Sequence, residues 1–156
     1  MKNLSFFAAV FFAVAFVSCS ETNPVLTVEG GQIQGVPTAT QGIIAYKGVP
    51  FAAPPVGELR WKEPQPVVPW EGVKIADKYG AAAWQTAWDP NSFYGREWRA
   101  SGSVPFDEDC LYLNIWTPAA GKTNKKLPVA MWIHGGGYRE GFGFEPEMDG
   151  GEDWAS

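Results

Sequence analysis

The sequence predicts an α/β fold, and three observations carry that prediction. The 156 residues are 46% hydrophobic and 15% aromatic, a composition that suits a packed globular core. Residues 129–133 are apolar at every position, as expected for a strand that is covered on both faces of an α/β sheet. Three consecutive glycines, Gly135, Gly136 and Gly137, follow almost at once. Backbone N–H groups are therefore presented at the end of a predicted strand.

The charge of the chain excludes some classes of partner. The formal net charge is −5, and the sequence contains no block of Lys or Arg. Nothing therefore provides the basic patch that holds a nucleic-acid backbone or an anionic lipid surface, and we expect no nucleic-acid partner. Aromatic residues are abundant, but buried cores and ligand clefts both use them, so their number does not distinguish the two.

The N-terminal residues have the pattern of an export signal. Lys2 precedes an uncharged apolar run over residues 6–17, which is shorter than the roughly 20 residues that a membrane-spanning helix needs. Residues 1–18 are therefore predicted to be a signal peptide. A small residue before Cys19 favours a lipoprotein signal, in which Cys19 is lipidated and anchors the mature chain in a bacterial cell envelope. Ordinary cleavage near Ser18, which would give a secreted protein, is the alternative.

The elements that follow are predicted to be antiparallel strands. Residues 25–35 alternate in polarity around Gly30-Gly31, the pattern of a hairpin with a two-residue turn. A third strand is predicted over residues 43–51. It ends where prolines become frequent, and because Pro cannot donate to a strand ladder, the stretch through residue 69 is predicted to be ordered loop.

The second half of the chain combines irregular structure with two stronger strands. Residues 76–102 show neither a period of 2 nor one of 3.6, so a long irregular excursion is predicted there. Its tryptophans Trp84, Trp88 and Trp98 are candidates to line a cleft. Strands are predicted over residues 111–116 and 129–133. Residues 19–156 contain no repeat or linker and are interpreted as part of one domain.

Three consecutive glycines permit positive φ angles, which turn successive N–H groups toward a common point. Such a nest binds an oxyanion, and in acyl transfer each donor aimed at the developing negative oxygen is commonly worth about 3 to 4 kcal/mol. Turns and linkers also use consecutive glycines, so the motif alone leaves both interpretations open. The apolar strand and His134 directly before the glycines favour the oxyanion interpretation.

Longer motifs surround this loop. They are YKGVPFAAPPVG at 46–57, LRW at 59–61, PWEG at 69–72, EDCLYLNIW at 108–116 and WIHGGGY at 132–138. Together they resemble the type-B carboxylesterases, the family that includes the cholinesterases, and they cover nearly all of residues 19–156 in family order.

The resemblance implies the N-terminal part of an α/β-hydrolase fold, with N-terminal antiparallel strands and the first strands of the central sheet. It implies hydrolysis of a small carboxylic ester by Ser, acid and His through an acyl-enzyme, without a cofactor. Gly136 and Gly137 then provide oxyanion-hole amides, in a loop that includes His134 and Gly135. Arg60 and Glu108 correspond to the family's buried structural ion pair.

The catalytic residues themselves are expected to lie beyond Ser156. The only histidine is His134, within the oxyanion motif, and no Gly-x-Ser-x-Gly occurs, whereas the order in this fold is Ser, acid, His. These 156 residues alone are therefore predicted to be inactive and to aggregate through unpaired strands. Two alternatives stay open, namely a non-catalytic binding or adhesion protein on the same fold and a truncated gene product without function.

The chain departs from the family at Ala83, where many relatives have a cysteine that bridges to the counterpart of Cys110. Cys110 is therefore predicted to be a free buried thiol, without a bridge that is usually worth about 2 to 5 kcal/mol.

Other polar and aromatic residues are assigned simpler roles. A group of acidic residues is predicted to be a solvated loop and not a calcium site, so no metal is expected. Tyr138 and Phe142 either line a substrate pocket or simply pack. The acidic group consists of Glu145, Glu147, Asp149, Glu152 and Asp153.

Overall fold

The computed structural model describes residues 23–86, 89, 91–97, 104–122, 124–145 and 151–156. The predicted signal peptide and Cys19 lie outside these residues, as do Trp88 and Trp98. Two three-stranded sheets form, with strand orders β1-β2-β5 and β3-β4-β6. The strands are β1 (Val25–Val28), β2 (Gly31–Gln34), β3 (Val36–Pro37), β4 (Ile44–Pro50), β5 (Val73–Ile75) and β6 (Tyr112–Thr117).

Helical structure in the described ranges is limited to three short elements. They are a 3₁₀ turn at Gly57–Leu59, α1 (Phe93–Glu97) and α2 (Gly151–Ala155). Within the described residues, no helix has the length and apolar character needed to cross a bilayer.

The first two strands form the predicted hairpin, but its turn lies one residue earlier than expected. Val28 pairs with Gly31, so the turn residues are Glu29 and Gly30. Gly30 has a φ of 73°, which a residue with a Cβ adopts only at a cost. A Cβ on Gly30 would also overlap the Trp70 ring. The packing of Trp70 on the turn is a tertiary contact that the Gly-Gly motif does not encode.

Strand β4 is the centre of the second sheet and confirms the third predicted strand. It pairs antiparallel with β3 and with β6. The ladder with β6 shifts register between Tyr46 and Val49. At this bulge Gly48 has a φ of 64° and donates its N–H to Asn114 Oδ1 at 2.9 Å. The side chain of Asn114 thus satisfies a donor that the bulge removes from the regular ladder.

The core lies where the two sheets meet. Ile33, Tyr46, Val49 and Ala76 form a buried cluster, and full burial of an aliphatic side chain such as Ile33 contributes about 1.5 to 3 kcal/mol. The backbone of Ala76 joins the sheets, because its N–H donates to Gln34 O at 2.8 Å and its carbonyl accepts from Lys47 N at 2.9 Å.

The prediction of a paired strand over residues 129–133 is wrong for this structure. The segment belongs to neither sheet of the described residues, and Val129, Met131 and Ile133 are 89%, 82% and 78% exposed. A strand buried on both faces needs hydrogen-bonding neighbours and packing layers above and below it. The described elements provide neither.

Strand β5 and helix α1 are among the elements that were not predicted from the sequence. Strand β5 pairs parallel with β2, although all three of its residues are exposed, so no burial pattern marks it. Helix α1 interrupts the predicted irregular excursion. It is preceded by Ser92, whose hydroxyl accepts from the N–H of Gly95 at 2.9 Å, as an N-cap residue does.

Candidate functional site

The loop after residue 133 folds into a closed turn. The carbonyl oxygen of Gly136 accepts hydrogen bonds from the N–H groups of Arg139 at 3.1 Å and Glu140 at 3.3 Å. Gly136 and Gly137 have φ angles of 106° and 61°, and Tyr138 continues with 60°. These angles reverse the chain direction immediately after the apolar segment.

The three glycines of the loop are not equivalent. A Cβ on Gly136 would overlap the carbonyl oxygen of Glu140, whereas Gly135 and Gly137 have open space around the Cβ position. At Gly137 the positive φ still favours glycine. Gly135 is not among the residues with positive φ. The expected run of three positive-φ glycines is therefore found at two of the three positions.

The N–H groups of Gly136 and Gly137 are available to an external acceptor. No described residue accepts a hydrogen bond from either group, and residues 134–140 are exposed. Consecutive N–H groups in this kind of turn form a concave site of positive potential. The loop can therefore bind an oxygen atom that carries a full or developing negative charge.

His134 contacts its own loop. Its Nδ1 lies 2.8 Å from the carbonyl oxygen of Gly135. Because a carbonyl oxygen only accepts, this contact is a hydrogen bond when Nδ1 carries the proton. Nδ1 is therefore the ring nitrogen that contacts the loop backbone, and Nε2 takes no part in this bond.

The far end of the loop is held by a residue that sequence reasoning missed. Gln85 Oε1 accepts from Gly141 N at 2.6 Å, and Gln85 Nε2 donates to Gly141 O at 3.0 Å. Gln85 lies 56 residues earlier, in the irregular excursion. Nothing in a single sequence marks one amide side chain there as a partner of the glycine loop.

Below Gly141 the chain becomes buried. Phe142 is 7% exposed, and its ring centroid lies 4.6 Å from that of Phe144, which stacks on Tyr79 at 4.8 Å. This supports the packing interpretation of Phe142. Tyr138, by contrast, is fully exposed.

Glu145 does not belong to a solvated acidic loop. It is 8% exposed, and its Oε1 accepts from Phe142 N at 3.3 Å. The expectation of solvation is therefore wrong at this position, because the buried carboxylate accepts a hydrogen bond from the backbone below the loop. Of the remaining acidic residues, Glu152 accepts from the N–H of Thr40, whereas Glu147 and Asp149 lie outside the described residues.

Arg60 and Glu108 form a bidentate ion pair, with distances of 2.5 Å from Nε to Oε1 and 2.6 Å from Nη2 to Oε2. The hydrogen bond to Arg60 lowers the pKa of Glu108, and the same bond raises the pKa of Arg60. The side chains are 53% and 35% exposed, so the expectation of a buried pair is wrong. No described element covers this stretch, in which Trp61 is 96% exposed.

Cys110 has no disulfide partner among the described residues and is of intermediate exposure, so the expectation of full burial is wrong. Partial burial, followed by the charges of Asp109 and Asp107, raises the pKa of the thiol. A raised pKa reduces the thiolate fraction and hence the reactivity of the group.

Of the three tryptophans proposed to line a cleft, the structure describes only Trp84. It is 70% exposed, and its ring centroid lies 6.2 Å from that of Phe106. The backbone near Trp84 is held by a hydrogen bond from Ala82 N to Pro105 O at 2.9 Å.

Comparison with known proteins shows why these motifs occur together in one chain. The model of the carboxylesterase family matches residues 22–152. Phenmedipham hydrolase of Pseudarthrobacter oxydans is 40% identical over 126 residues, which cover 80% of this chain and 24% of that protein. Acetylcholinesterase of Electrophorus electricus is 39% identical over 149 residues, which cover 85% of this chain and 23% of that protein.

A solved structure agrees with these relatives. A PNB esterase structure superposes with a TM-score of 0.68 at 35% identity, covering 83% of this chain and 24% of that one. The architecture is thus the N-terminal part of an α/β-hydrolase fold, and the chain spans about a quarter of the length of the relatives it matches. On the family match and the agreement in structure, the chain belongs to the carboxylesterase family.

Proposed function

We propose that the protein to which this chain belongs is a carboxylic ester hydrolase with a serine nucleophile, and that this chain supplies its oxyanion-hole loop. The observation that carries the proposal is the pair of positive-φ glycines, Gly136 and Gly137, whose N–H groups have no acceptor among the described residues. Relatives named as hydrolases and esterases support the reaction class.

In the proposed reaction, the serine hydroxyl adds to the ester carbonyl carbon while a histidine removes its proton. The carbonyl π electrons move onto oxygen, and the oxyanion accepts hydrogen bonds from Gly136 and Gly137. Collapse of the intermediate breaks the bond to the alcohol, which leaves with the proton, and water then hydrolyses the acyl-enzyme. Each such donor is commonly worth about 100- to 1,000-fold in kcat.

The serine, the acid and the catalytic histidine are proposed to come from the part of the protein that this chain does not span. The sequence of this chain has no Gly-x-Ser-x-Gly, and its single histidine lies in the loop itself. We accordingly propose that these 156 residues alone have no esterase activity.

The test is hydrolysis of a short-chain aryl ester by the whole protein and two glycine variants. Gly136→Ala places a methyl group against the carbonyl oxygen of Glu140 and should lower kcat by about 100-fold or more. Gly143→Ala lies outside the loop, where a Cβ would be 3.8 Å from its nearest neighbour and φ is not positive, so this variant should retain wild-type kcat. A folded whole protein without any activity would instead favour a binding protein on the same fold, and equal activity of both variants would disprove the oxyanion role.

We also propose that the protein is exported and lipid-anchored through Cys19. The apolar run before this residue supports the proposal. Cys19→Ser should move the protein from the membrane fraction to the soluble fraction of the envelope, and unchanged membrane association would contradict the anchor.

A further inference from the structure

Both ends of the Gln85 amide bond to Gly141, at the end of the loop. Its Oε1 accepts from Gly141 N at 2.6 Å, and its Nε2 donates both to Gly141 O at 3.0 Å and to Ala83 O at 3.1 Å. This pattern requires the carbonyl and the NH₂ group of the side chain in fixed positions. Turning the amide over would place donor against donor and acceptor against acceptor.

Gly141 is the point at which the exposed loop meets the body of the chain. It is buried, whereas residues 134–140 are exposed. A Cβ on Gly141 would overlap the His134 ring and lie 2.7 Å from the carbonyl oxygen of Gly135. The end of the loop therefore packs directly against its beginning, so a constraint on Gly141 is also a constraint on the residue before Gly136.

The intervening turn transmits that constraint. Gly136 O accepts from the N–H groups of Arg139 and Glu140, and Glu140 is bonded covalently to Gly141. These backbone hydrogen bonds lie within the loop and do not reach the rest of the chain. The bonds from Gln85 are the side-chain bonds that tie this end of the loop to a distant part of the described chain.

We propose that Gln85 is a positioning residue of the oxyanion hole, which fixes the orientation of the Gly136 and Gly137 N–H groups through Gly141 without touching the substrate. The inference rests on the proposed function of the loop. Donors stabilise a transition state best when they are oriented before the reaction begins. Loss of the Gln85 amide leaves the donors present but poorly aligned, and a misplacement of about 1 Å can cost on the order of 100-fold in rate.

The experiment compares Gln85→Ala, Gln85→Glu and Gln65→Ala in the whole protein. Gln65 is the matched control, because its side chain makes one exposed hydrogen bond to Glu63 O, two residues away. Hydrolysis of p-nitrophenyl acetate is measured with the concentration of functional sites determined by titration of the acyl-enzyme burst. Gln85→Ala should lower kcat by about 10- to 100-fold with KM nearly unchanged, and Gln65→Ala should leave both constants at their wild-type values.

The glutamate variant adds a second criterion. The carboxylate that Gln85→Glu introduces keeps the acceptor for Gly141 N but places an oxygen against the carbonyl groups of Gly141 and Ala83. Gln85→Glu should therefore be impaired as severely as Gln85→Ala. Hydrogen exchange of the peptide that contains residues 134–142 should accelerate in both Gln85 variants and not in Gln65→Ala.

The outcomes separate the two proposals. If Gly136→Ala is impaired while Gln85→Ala has wild-type kcat per functional site, the positioning role is wrong and the oxyanion loop stands. If the Gln85 variants only lower thermal stability, or raise KM in place of lowering kcat, the positioning role is also wrong. If neither Gly136→Ala nor Gln85→Ala changes kcat, the loop is not the oxyanion hole and both proposals fail.

Discussion

At the scale of single residues, hydrogen-bond partners decide what each polar group contributes. Asn114 bonds the bulge at Gly48 and also donates to Gly143 O at 3.3 Å, so one side chain connects the sheet to the segment after the loop. Tyr46 illustrates the opposite case, because its hydroxyl is buried without a partner among the described residues and burial raises its pKa.

Tyr112 provides a pH-dependent prediction at this scale. Burial, and next the hydrogen bond from its hydroxyl to Asp109 Oδ2 at 2.8 Å, raises the pKa of Tyr112 to about 12. The folded chain thus holds this proton more tightly than the unfolded chain, in which the pKa is about 10. The resulting contribution to stability is complete below about pH 10 and is lost as pH rises toward about 12.

The measurement is a tyrosinate absorbance titration of the wild type and of Asp109→Asn, with Tyr112→Phe used to identify the Tyr112 signal. Asp109→Asn should lower the pKa of Tyr112, because it removes the charge that favours the neutral phenol. An unchanged titration would mean that Asp109 does not contribute to this pKa.

At the scale of elements, turns and bulges take their positions from side chains far away in sequence. The hairpin turn is placed by Trp70, which also donates from Nε1 to Gln32 O at 3.0 Å. The Lys74 ammonium lies 4.4 Å from the centroid of the Trp70 ring. Strand β5 and the tryptophan before it therefore cover the hairpin as one unit.

Two glycine substitutions test this arrangement. Gly30 and Gly42 have φ angles of 73° and 87°, so alanine at either position incurs the left-handed backbone cost of about 1 to 2 kcal/mol. A Cβ at Gly42 has no neighbour within 4 Å, whereas one at Gly30 lies within 2.9 Å of Trp70 and Val67 atoms. Gly30→Ala should therefore lower the free energy of unfolding by a further amount of about 1 to 3 kcal/mol.

Urea denaturation of the whole protein and of its two glycine variants measures the difference in the free energy of unfolding. Equal destabilisation would mean that Trp70 moves away without cost, and that the ring does not fix the turn.

At the scale of the whole molecule, the described fold leaves one apolar segment uncovered. Residues 129–133 are exposed. Trp132, which is 50% exposed, meets Trp154 edge to face with ring centroids 6.4 Å apart. Unpaired backbone next to exposed apolar side chains is a template for association with other chains.

We therefore expect the 156-residue chain on its own to self-associate through residues 129–133. Met131→Lys introduces a charge into the centre of the exposed segment and should raise the monomer fraction. Leu127→Lys adds the same charge at a side chain that is 44% exposed and outside the segment, so it controls for net charge. Size-exclusion chromatography with light scattering measures the effect, and equal gains for both variants would assign it to charge alone.

Local patterns in the sequence determined the hairpin, β4, β6 and the proline-rich loop. Each depends on alternation, on turn-forming residues or on the geometry of proline, which are properties of neighbours along the chain. The same local chemistry marked Gly136 and Gly137, because a backbone at positive φ favours glycine wherever it occurs.

Only the tertiary structure decided the features that depend on distant partners. Gln85 meets Gly141 across 56 residues, and Glu145 is buried beneath the loop although its sequence neighbourhood is acidic. Residues 129–133 have the composition of a buried strand, yet burial requires neighbouring elements that the described residues do not place there. Composition determines which surface favours burial, whereas the contacts available in the folded chain determine which surface is buried.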